Sequence, residues 1–411
     1  MKSCARLVGA ALLIYALALT PIAVAAPKSG ATKSGATKSV AMKRLDVLAA
    51  SVGAEGLLIS GKTLITYVNS GGANSNILLT GLDVNGIQVW QKIIDSGADE
   101  IALAGAVDSA GNIWLAGASA PLTTVDTTTA LLPPANPDGV VAEPSSKLRA
   151  DMSLLTVWKI SPIGELLSTY SLVQPTPALV NAISVSVSGV SLVGQIADKP
   201  FVISITSVGI FGKLISIGTS KTELNAVVRN SDGTVSVFGA SSETLGGKKN
   251  VGIRDGILVK INKAGTVTSV IRSSAPKAER SWNFSDASLA LTGYVKTGKK
   301  MESAFTKFTA AFAPTWTLRI PSSGASIVTS GGALTYGALG SNSAIPGVTG
   351  WKPTSSQLAI LILDSKGVIT GAFGASELAN PTALVYSKEI GLYGLAQGSD
   401  GLTSIFHLAA K

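Results

Sequence analysis

Residue types that usually perform enzyme chemistry are sparse in this chain of 411 residues. The sequence contains a single histidine, His407, and a single cysteine, Cys4. A serine nucleophile needs a base such as histidine, and a zinc site needs several nitrogen, sulfur or carboxylate ligands. His407 stands between Phe406 and Leu408 in an alternating run, which indicates a strand position rather than a catalytic one. We therefore expect no catalytic residue, no metal site, no cofactor and no enzyme activity.

Carboxylates are the remaining groups that could catalyse a reaction, because two of them can cleave a glycan by acid–base chemistry. Asp95, Asp99 and Glu100 cluster in one short segment. Asp99 also fits the repeat pattern described below, which favours a structural role in a turn. A carboxylate-dependent glycan-cleaving enzyme stays an alternative, and it would need two carboxylates about 5–10 Å apart across a central funnel.

From about Arg44 onward, short apolar-alternating runs separated by Gly, Asn, Asp and Ser predict strands and hairpins. Two hairpin types alternate along the chain. The second type turns on an Asx/Ser-x-x-Gly sequence, as around Gly164 and Gly265. The first type ends near a glycine, at Gly117, Gly194 and Gly239 and in weaker copies at Gly293, Gly337 and Gly394.

Four strands therefore recur in each period of about 45–55 residues, which is the unit of a propeller blade. Six full units begin near Glu55, Glu100, Ala182, Asn225, Ser281 and Ala325. A seventh unit, from Thr382, supplies three strands, and residues 44–49 can provide its fourth strand. The sequence predicts an all-β propeller of seven four-stranded blades, closed by an N-terminal strand that completes the last blade. Counts of six or eight blades stay open, because repeat boundaries are loose.

Two of these units resemble a known repeat family. Residues 99–119 run Asp-Glu-Ile-Ala-Leu-Ala-Gly-Ala-Val-Asp-Ser-Ala-Gly-Asn-Ile-Trp-Leu-Ala-Gly-Ala-Ser, and residues 154–170 and 255–265 follow the second half of the same pattern. This resembles the bacterial secreted SBBP-type β-propeller repeat. The match is clear in units two and four, partial in one and six, and faint in three, five and seven. The resemblance implies a propeller in an exported or surface protein, and it implies no reaction.

The N-terminus predicts export. Lys2 and Arg6 precede an apolar stretch at residues 7–20, and Ala23-Val24-Ala25 forms a small-x-small cleavage site. Residues 1–25 are thus a predicted signal peptide of a secreted or cell-surface protein, with an uncleaved membrane anchor as the alternative. Residues 26–43 repeat Lys-Ser-Gly-Ala-Thr and predict a flexible basic linker, so that residues 44–411 form a single propeller domain.

Removal of Lys2 and Arg6 with the predicted signal peptide lowers the formal net charge from +9 to +7, and this positive charge favours contact with anionic polymers such as cell-wall polysaccharides. Its basic residues are scattered, which argues against nucleic acid. The longest insertions, residues 120–153, 241–256 and 339–357, fall between the second and third strands of their units, on the face that also carries the links between blades. Candidate ligand-binding residues on this long-loop face are Lys248, Lys249, Arg254, Trp351 and Lys352.

The functional hypothesis is an exported, monomeric binding or scaffold propeller whose ligand is a glycan, a cell-wall polymer or a surface protein. We expect no membrane insertion after signal cleavage. A structural surface protein with no discrete ligand is the other alternative.

Overall fold

The structure is a computed structural model that describes residues 39–71, 75–122 and 149–409. Regular structure in these residues consists of β-strands. In chain order they are β1 (Val40–Arg44), β2 (Asp46–Ala50), β3 (Gly56–Ser60), β4 (Thr63–Asn69), β5 (Ile77–Leu82), β6 (Gln88–Ile94), β7 (Glu100–Val107), β8 (Ile113–Ser119), β9 (Leu154–Ile160), β10 (Leu166–Val173), β11 (Ala178–Ser186), β12 (Gly189–Ile196), β13 (Lys199–Ile205), β14 (Ile215–Ser216), β15 (Thr222–Arg229), β16 (Val235–Ser241), β17 (Asp255–Ile261), β18 (Val267–Ser273), β19 (Ala278–Ser285), β20 (Ala290–Thr297), β21 (Lys300–Phe308), β22 (Pro314–Pro321), β23 (Ser326–Gly331), β24 (Leu334–Ser341), β25 (Val348–Thr349), β26 (Gln357–Leu363), β27 (Ile369–Ala375), β28 (Leu378–Ser387), β29 (Gly391–Gly398) and β30 (Thr403–Leu408).

The strands pair into separate sheets that follow one another along the chain, and consecutive strands within a sheet are antiparallel, except in the pairings of β1. Sheet 1 contains β3–β6, sheet 2 β7–β10, sheet 3 β11–β14, sheet 4 β15–β18 and sheet 5 β19–β22. Sheet 6 contains β23, β24, β26, β27, β1 and β25, and sheet 7 contains β28, β29, β30 and β2. The first strand of each sheet contacts the first strand of the next, and β28 of sheet 7 contacts β3 of sheet 1. These inner strands surround a central channel, so the predicted all-β propeller is confirmed.

The prediction of seven four-stranded blades is corrected. Six sheets have four strands each, and the remaining one, sheet 6, has six. The cause is residues 40–44, which form β1 and pair in parallel with both β27 and β25. Val40 and Met42, at alternate positions of β1, pack against the buried core of sheet 6. The predicted linker is therefore wrong for residues 40–43, while residues 26–38 and the predicted signal peptide lie outside the described residues.

The predicted closing strand is present, with shifted bounds. β2 covers residues 46–50 rather than 44–49 and pairs antiparallel with β30, with Asp46 opposite His407 and Val47 opposite Phe406. Between β1 and β2, the buried Leu45 donates its backbone N–H to Gly374 O at 2.9 Å. The N-terminal segment thus covers an edge of sheet 6 and an edge of sheet 7, two edges that would otherwise be open to pairing with another chain.

Buried apolar side chains fill the interfaces between neighbouring sheets. One cluster joins sheets 4 and 5 and includes Phe238, Trp282 and Phe308, and comparable clusters join the other neighbouring pairs. No helix in the described part of the chain has the length and apolar character that crossing a membrane requires.

The glycines that end the first hairpin type have a structural explanation. In sheets 2, 3, 4 and 5 each lies opposite an inner-strand residue that is followed by a β-bulge. A Cβ atom at Gly239, for example, would lie 1.9 Å from Glu223 O on the inner strand. The backbones approach so closely that another residue type would not fit there. The extra residues of these bulges are Leu103, Asn181, Asn225 and Asn283.

Candidate functional site

The loop between β16 and β17 presents two of the predicted residues on the long-loop face. Leu245 and Lys248 exchange backbone hydrogen bonds of 3.0 and 3.1 Å. The intervening Gly246 and Gly247 have φ values of 57° and 73°, which a tight hairpin turn with two left-handed residues requires. Lys248 and Lys249 are exposed at the tip of this hairpin. The Gly-Gly-Lys-Lys sequence therefore directs both ammonium groups into solvent.

Arg272, at the end of β18, holds this loop in place. Its side chain is 6% exposed, and its Nη1 lies 3.3 Å from Asp255 Oδ2. The guanidinium also donates to the backbone carbonyls of Lys248 (3.2 Å) and Glu243. Asp255 in turn accepts hydrogen bonds of 2.9 Å from the backbone N–H groups of residues 251 and 252. A buried ion pair with these extra hydrogen bonds fixes both ends of the loop.

Arg254 closes the same loop but has its own partner. Its Nη2 lies 2.7 Å from Glu223 Oε2 in sheet 4. Its backbone carbonyl accepts a hydrogen bond of 2.9 Å from Arg280 N in sheet 5. Arg254 is half-buried and bridges the two sheets. It therefore stabilises the loop base and adds less free charge than the two lysines.

The other two predicted contact residues, Trp351 and Lys352, lie in the loop between β24 and β26, away from the β16–β17 loop. Lys352 is exposed, whereas Trp351 is 8% exposed and donates from Nε1 to Ser341 Oγ at 3.0 Å. The Trp351 ring lies in the core cluster that contains Val40 and Met42. The prediction that Trp351 contacts a ligand is therefore corrected, because its indole completes the core of sheet 6. Lys352 belongs to sheet 6, which sheet 5 separates from the β16–β17 loop.

Basic side chains gather on the long-loop face at sheets 4 and 5, a region that we call the basic sector. They lie in the links that enter and leave these sheets and in the β16–β17 and β20–β21 connections. The basic sector comprises Lys221, Lys248, Lys249, Arg254, Arg272, Lys277, Arg280, Lys296, Lys299, Lys300 and Arg319. Its carboxylates are fewer, namely Glu223, Glu243, Asp255, Glu279 and Glu302. The excess of positive charge makes this sector the part of the face that suits an anionic partner.

A cavity of about 240 Å³ lies between sheets 4 and 5, and we call it the inter-sheet cleft. Arg280 lines its end near the basic sector; Nη1 donates to Ser273 Oγ at 3.1 Å, and the buried Nε has no partner in the described part of the chain. Burial lowers the pKa of Arg280, the nearby charge of Arg319 lowers it further, and the charge of Asp255 opposes these two effects. Arg319 pairs with Glu302, which also lies 2.9 Å from Lys300 Nζ. The cleft therefore carries unbalanced positive charge.

Sequence reasoning did not single out Arg280 or Trp282, which both line this cleft. Their spacing carries a signal, because residues two positions apart on a strand point to the same side of the sheet. Arg272 and Ser273 reach the cleft from the neighbouring sheet. A local pattern does not reveal which strand ends meet across two sheets, so the whole set emerges only with the fold.

The carboxylates considered for glycan cleavage have structural partners. Asp99 accepts a hydrogen bond of 2.5 Å from Ser75 N and forms an ion pair with Arg149. Asp95 and Glu100 each accept a bond of 2.8 Å from a backbone N–H of the link between sheets 1 and 2. These contacts agree with a role in ordering the loop, which the repeat pattern favoured for Asp99.

The central channel has a volume of about 400 Å³ and is lined by the inner strands of all the sheets. Glu55 is the one carboxylate among the described residues that line it. Burial raises the pKa of Glu55, while a hydrogen bond with Asn69 lowers it, and the net direction is upward. Across the channel, the described lining residues supply no second carboxylate for acid–base cleavage.

His407 lies on β30, where its ring centroid is 4.7 Å from that of Tyr393. Burial lowers the pKa of His407, and the charge of Asp46 opposes that effect. Within residues 39–71, 75–122 and 149–409, no group of three or more His, Cys, Asp or Glu side chains is arranged to hold a metal ion.

These features define the protein as a β-propeller, and comparison with solved structures agrees. The chain is similar to a "putative 6-phosphogluconolactonase" from Bacteroides uniformis, with a TM-score of 0.51 and 11% identity over 84% of this chain and 92% of that chain. For a periplasmic gluconolactonase from Pseudomonas aeruginosa the TM-score is 0.44, with 13% identity over 78% of this chain and 84% of that chain. For the β-propeller domain of the Trilobed protease from Pyrococcus furiosus, the TM-score is 0.48, with 10% identity over 88% of this chain and 96% of that chain.

The likeness to the Bacteroides uniformis structure, at 11% identity, shows the fold alone, and it assigns no reaction to this chain. No family model matches the sequence, and no curated protein matches it either. Function therefore has to be argued from the basic sector and the inter-sheet cleft themselves.

Proposed function

We propose that this protein is an exported propeller that binds an anionic polymer, such as an acidic cell-wall polysaccharide, through the basic sector. The observation that carries the proposal is the hairpin that presents Lys248 and Lys249. Arg272 and Asp255 hold this hairpin in one shape before any ligand arrives. A preformed loop loses less conformational freedom on binding than a mobile one, so more of the contact energy contributes to affinity.

Binding suits the basic sector better than catalysis does. Its chemical groups are ammonium and guanidinium ions, which attract anions but do not transfer protons near neutral pH. Exposed charge contacts are individually weak, so a polymer that touches several of them at once is the natural ligand. A long acidic chain can follow the face from the β16–β17 hairpin to Lys299 and Lys300 in the β20–β21 connection.

The proposal places the protein outside the cell. Support comes from the predicted signal peptide at residues 1–25, which lies outside the described residues. Membership of the SBBP-type repeat family belongs to the same proposal and is supported by residues 99–119. In that segment Asp108 Oδ1 accepts bonds of 2.9 Å from Ala110 N and Asn112 N, so the repeat's Asp and Gly-Asn positions form one turn.

The double variant K248Q/K249Q tests the site. We expect its affinity for polygalacturonate at low salt to fall by about 1 kcal/mol in total, or roughly fivefold, because two exposed ion contacts are lost. Surface-based binding assays against polygalacturonate and uncharged dextran measure this. The matched control is K366Q/K388Q, which removes two exposed lysines from turns on the opposite face. Equal losses in the two double variants would mean that net charge, rather than the basic sector, attracts the polymer.

A further inference from the structure

The inter-sheet cleft has two chemically different ends. Arg272, Arg280 and Arg319 lie at the end near the long-loop face, and Phe308 and Phe312 lie at the other. Its volume of about 240 Å³ is below the ~300–1,000 Å³ of sites for drug-sized ligands. A ligand of this cleft is therefore small, with one charged end and one apolar end.

At the arginine end, the three guanidinium groups differ in what they can offer. Arg272 is committed to Asp255 and to backbone carbonyls of the β16–β17 loop. Arg319 is partly exposed and shares Glu302 with a lysine. The Arg280 side chain donates one hydrogen bond to a neutral serine. Among the described residues it forms no ion pair of its own, since the nearby Asp255 is paired with Arg272. An anion beside Arg280 would receive charge-assisted hydrogen bonds and offset the repulsion from Arg319.

At the apolar end, aromatic rings form the walls. The Trp282 side chain is 6% exposed, and its ring meets that of Phe308 edge-on, with centroids 5.5 Å apart and planes at 87°. Phe312 meets Phe238 in a similar way, at 5.6 Å and 66°. The buried Trp282 Nε1 has no hydrogen-bond acceptor in the described part of the chain. This end therefore favours a flat aromatic group, which prefers such edge-on contacts.

We infer that the inter-sheet cleft binds a small aromatic oxyanion, with its carboxylate or phosphate group on Arg280 and Arg319 and its ring against Trp282 and Phe308. Guanidinium groups bind both carboxylate and phosphate through paired N–H donors. Both candidate ligands therefore have the same two parts, an oxyanion and the aromatic ring to which it is attached. The arginines of the cleft also belong to the basic sector, but this site goes beyond the proposed polymer binding, because its ligand is a small molecule inside a cleft that neither Lys248 nor Lys249 lines.

Isothermal titration calorimetry of the full chain with benzoate and with phenyl phosphate tests the inference and distinguishes the two oxyanions. Acetate and inorganic phosphate supply the charge without the ring, and benzyl alcohol supplies the ring without the charge. We expect at least one aromatic anion to bind tenfold or more tightly than its ring-free counterpart and than benzyl alcohol. Binding should also change tryptophan fluorescence in the wild type but not in W282F.

R280Q should weaken binding of the aromatic anion at least tenfold, because a charged donor becomes neutral. Its thermal melting curve shows whether it folds, and R319Q serves as the second variant. K248Q/K249Q should keep benzoate or phenyl phosphate binding, so failure of the cleft and failure of polymer binding are separate results. The inference is overturned if neither aromatic anion binds, or if R280Q and R319Q bind as tightly as the wild type.

Discussion

The arginines of sheets 4 and 5 have the same side-chain chemistry but different roles. Arg272 is buried with Asp255 and fixes the β16–β17 loop, while Arg254 pairs with Glu223 across the loop base. Arg280 faces the inter-sheet cleft with its Nε buried and without a partner in the described residues. The carboxylate partners that the fold supplies, rather than the residue type, separate the structural Arg254 and Arg272 from Arg280, which has no such partner among the described residues.

The sequence predicts the exposure of some residues on the long-loop face correctly and that of others wrongly. Lys248 and Lys249 are exposed as expected, because a Gly-Gly pair followed by lysines specifies a hairpin tip by local chemistry. Trp351 is buried instead, because its loop folds back so that Val348 pairs with Val40, more than three hundred residues away. The residues next to Trp351 in the sequence carry no sign of that contact, so its burial could not be predicted from them.

Glu100 gives a pH-dependent prediction. Burial raises the pKa of Glu100 above its usual 4.5, the bond from Ser96 opposes this, and the charges of Asp95 and Asp99 add to the rise. The folded state therefore holds this proton more tightly than the unfolded state. Glu100 should then cost stability progressively as pH rises from about 4.5 through the raised pKa, whereas below 4.5 both states are protonated and the cost vanishes.

E100Q should remove this dependence, since glutamine keeps the oxygen that accepts the Ser96 N–H bond and carries no charge. Urea midpoints of the wild type and E100Q should converge near pH 4, and E100Q should be the more stable near pH 7. E389Q, at an exposed glutamate, is the control. An E100Q curve parallel to the wild type across this range would contradict the assignment.

A hairpin with a closely packed glycine recurs in sheets 2 to 5. The glycine on the second strand lets the bulged inner strand approach the backbone of the second strand. In sheets 3 and 4 the extra residue of the bulge is an asparagine whose side chain reaches the next sheet. Asn181 Nδ2 donates to Leu224 O at 2.8 Å, and Asn225 Nδ2 lies 3.3 Å from Ser281 Oγ. In sheets 3 and 4 the bulge and its glycine therefore shape the sheet, and the bulge asparagine joins it to its neighbour.

G239A tests the close approach. The added methyl would meet Glu223 O at 1.9 Å, so the backbone must move, and we expect a loss of about 3 kcal/mol in the free energy of unfolding. G298A is the comparison, because its Cβ would meet nothing within 4 Å and only its φ of 59° opposes alanine. That variant should lose about 1 kcal/mol. Chemical denaturation that gives equal losses for both would show that packing at Gly239 is unimportant.

Most strands and hairpins could be predicted from the sequence, and the reason is physical. The first two strands of each sheet are joined by a short hairpin, so turn residues and strand alternation fix these strands locally. The inner strands begin within about four residues of the predicted unit starts; β11, for example, begins at Ala178 where Ala182 was expected. β1 and β25 were missed because each is short and pairs only with a strand that is distant in sequence.

The described sheets form a ring that the strands β1 and β2 complete, and basic side chains on its long-loop face gather at two neighbouring sheets. β1 and β2 cover the edges of sheets 6 and 7, which disfavours edge-to-edge pairing with another chain. The basic sector occupies the long-loop face of sheets 4 and 5. Rigid sheets with tight turns on one face and longer loops on the other leave the latter free for recognition.

Amide hydrogen exchange of the full chain, with and without polygalacturonate at low salt, tests whether the polymer binds to the basic sector. We predict slower exchange in residues 242–254 and 296–300, in the hairpin and connection of the basic sector. Residues 230–234 and 286–289, in turns of the same two sheets on the opposite face, should exchange at the same rate in both samples. Protection of these opposite turns, or no protection of the basic sector under conditions in which the polymer is bound, would contradict the account.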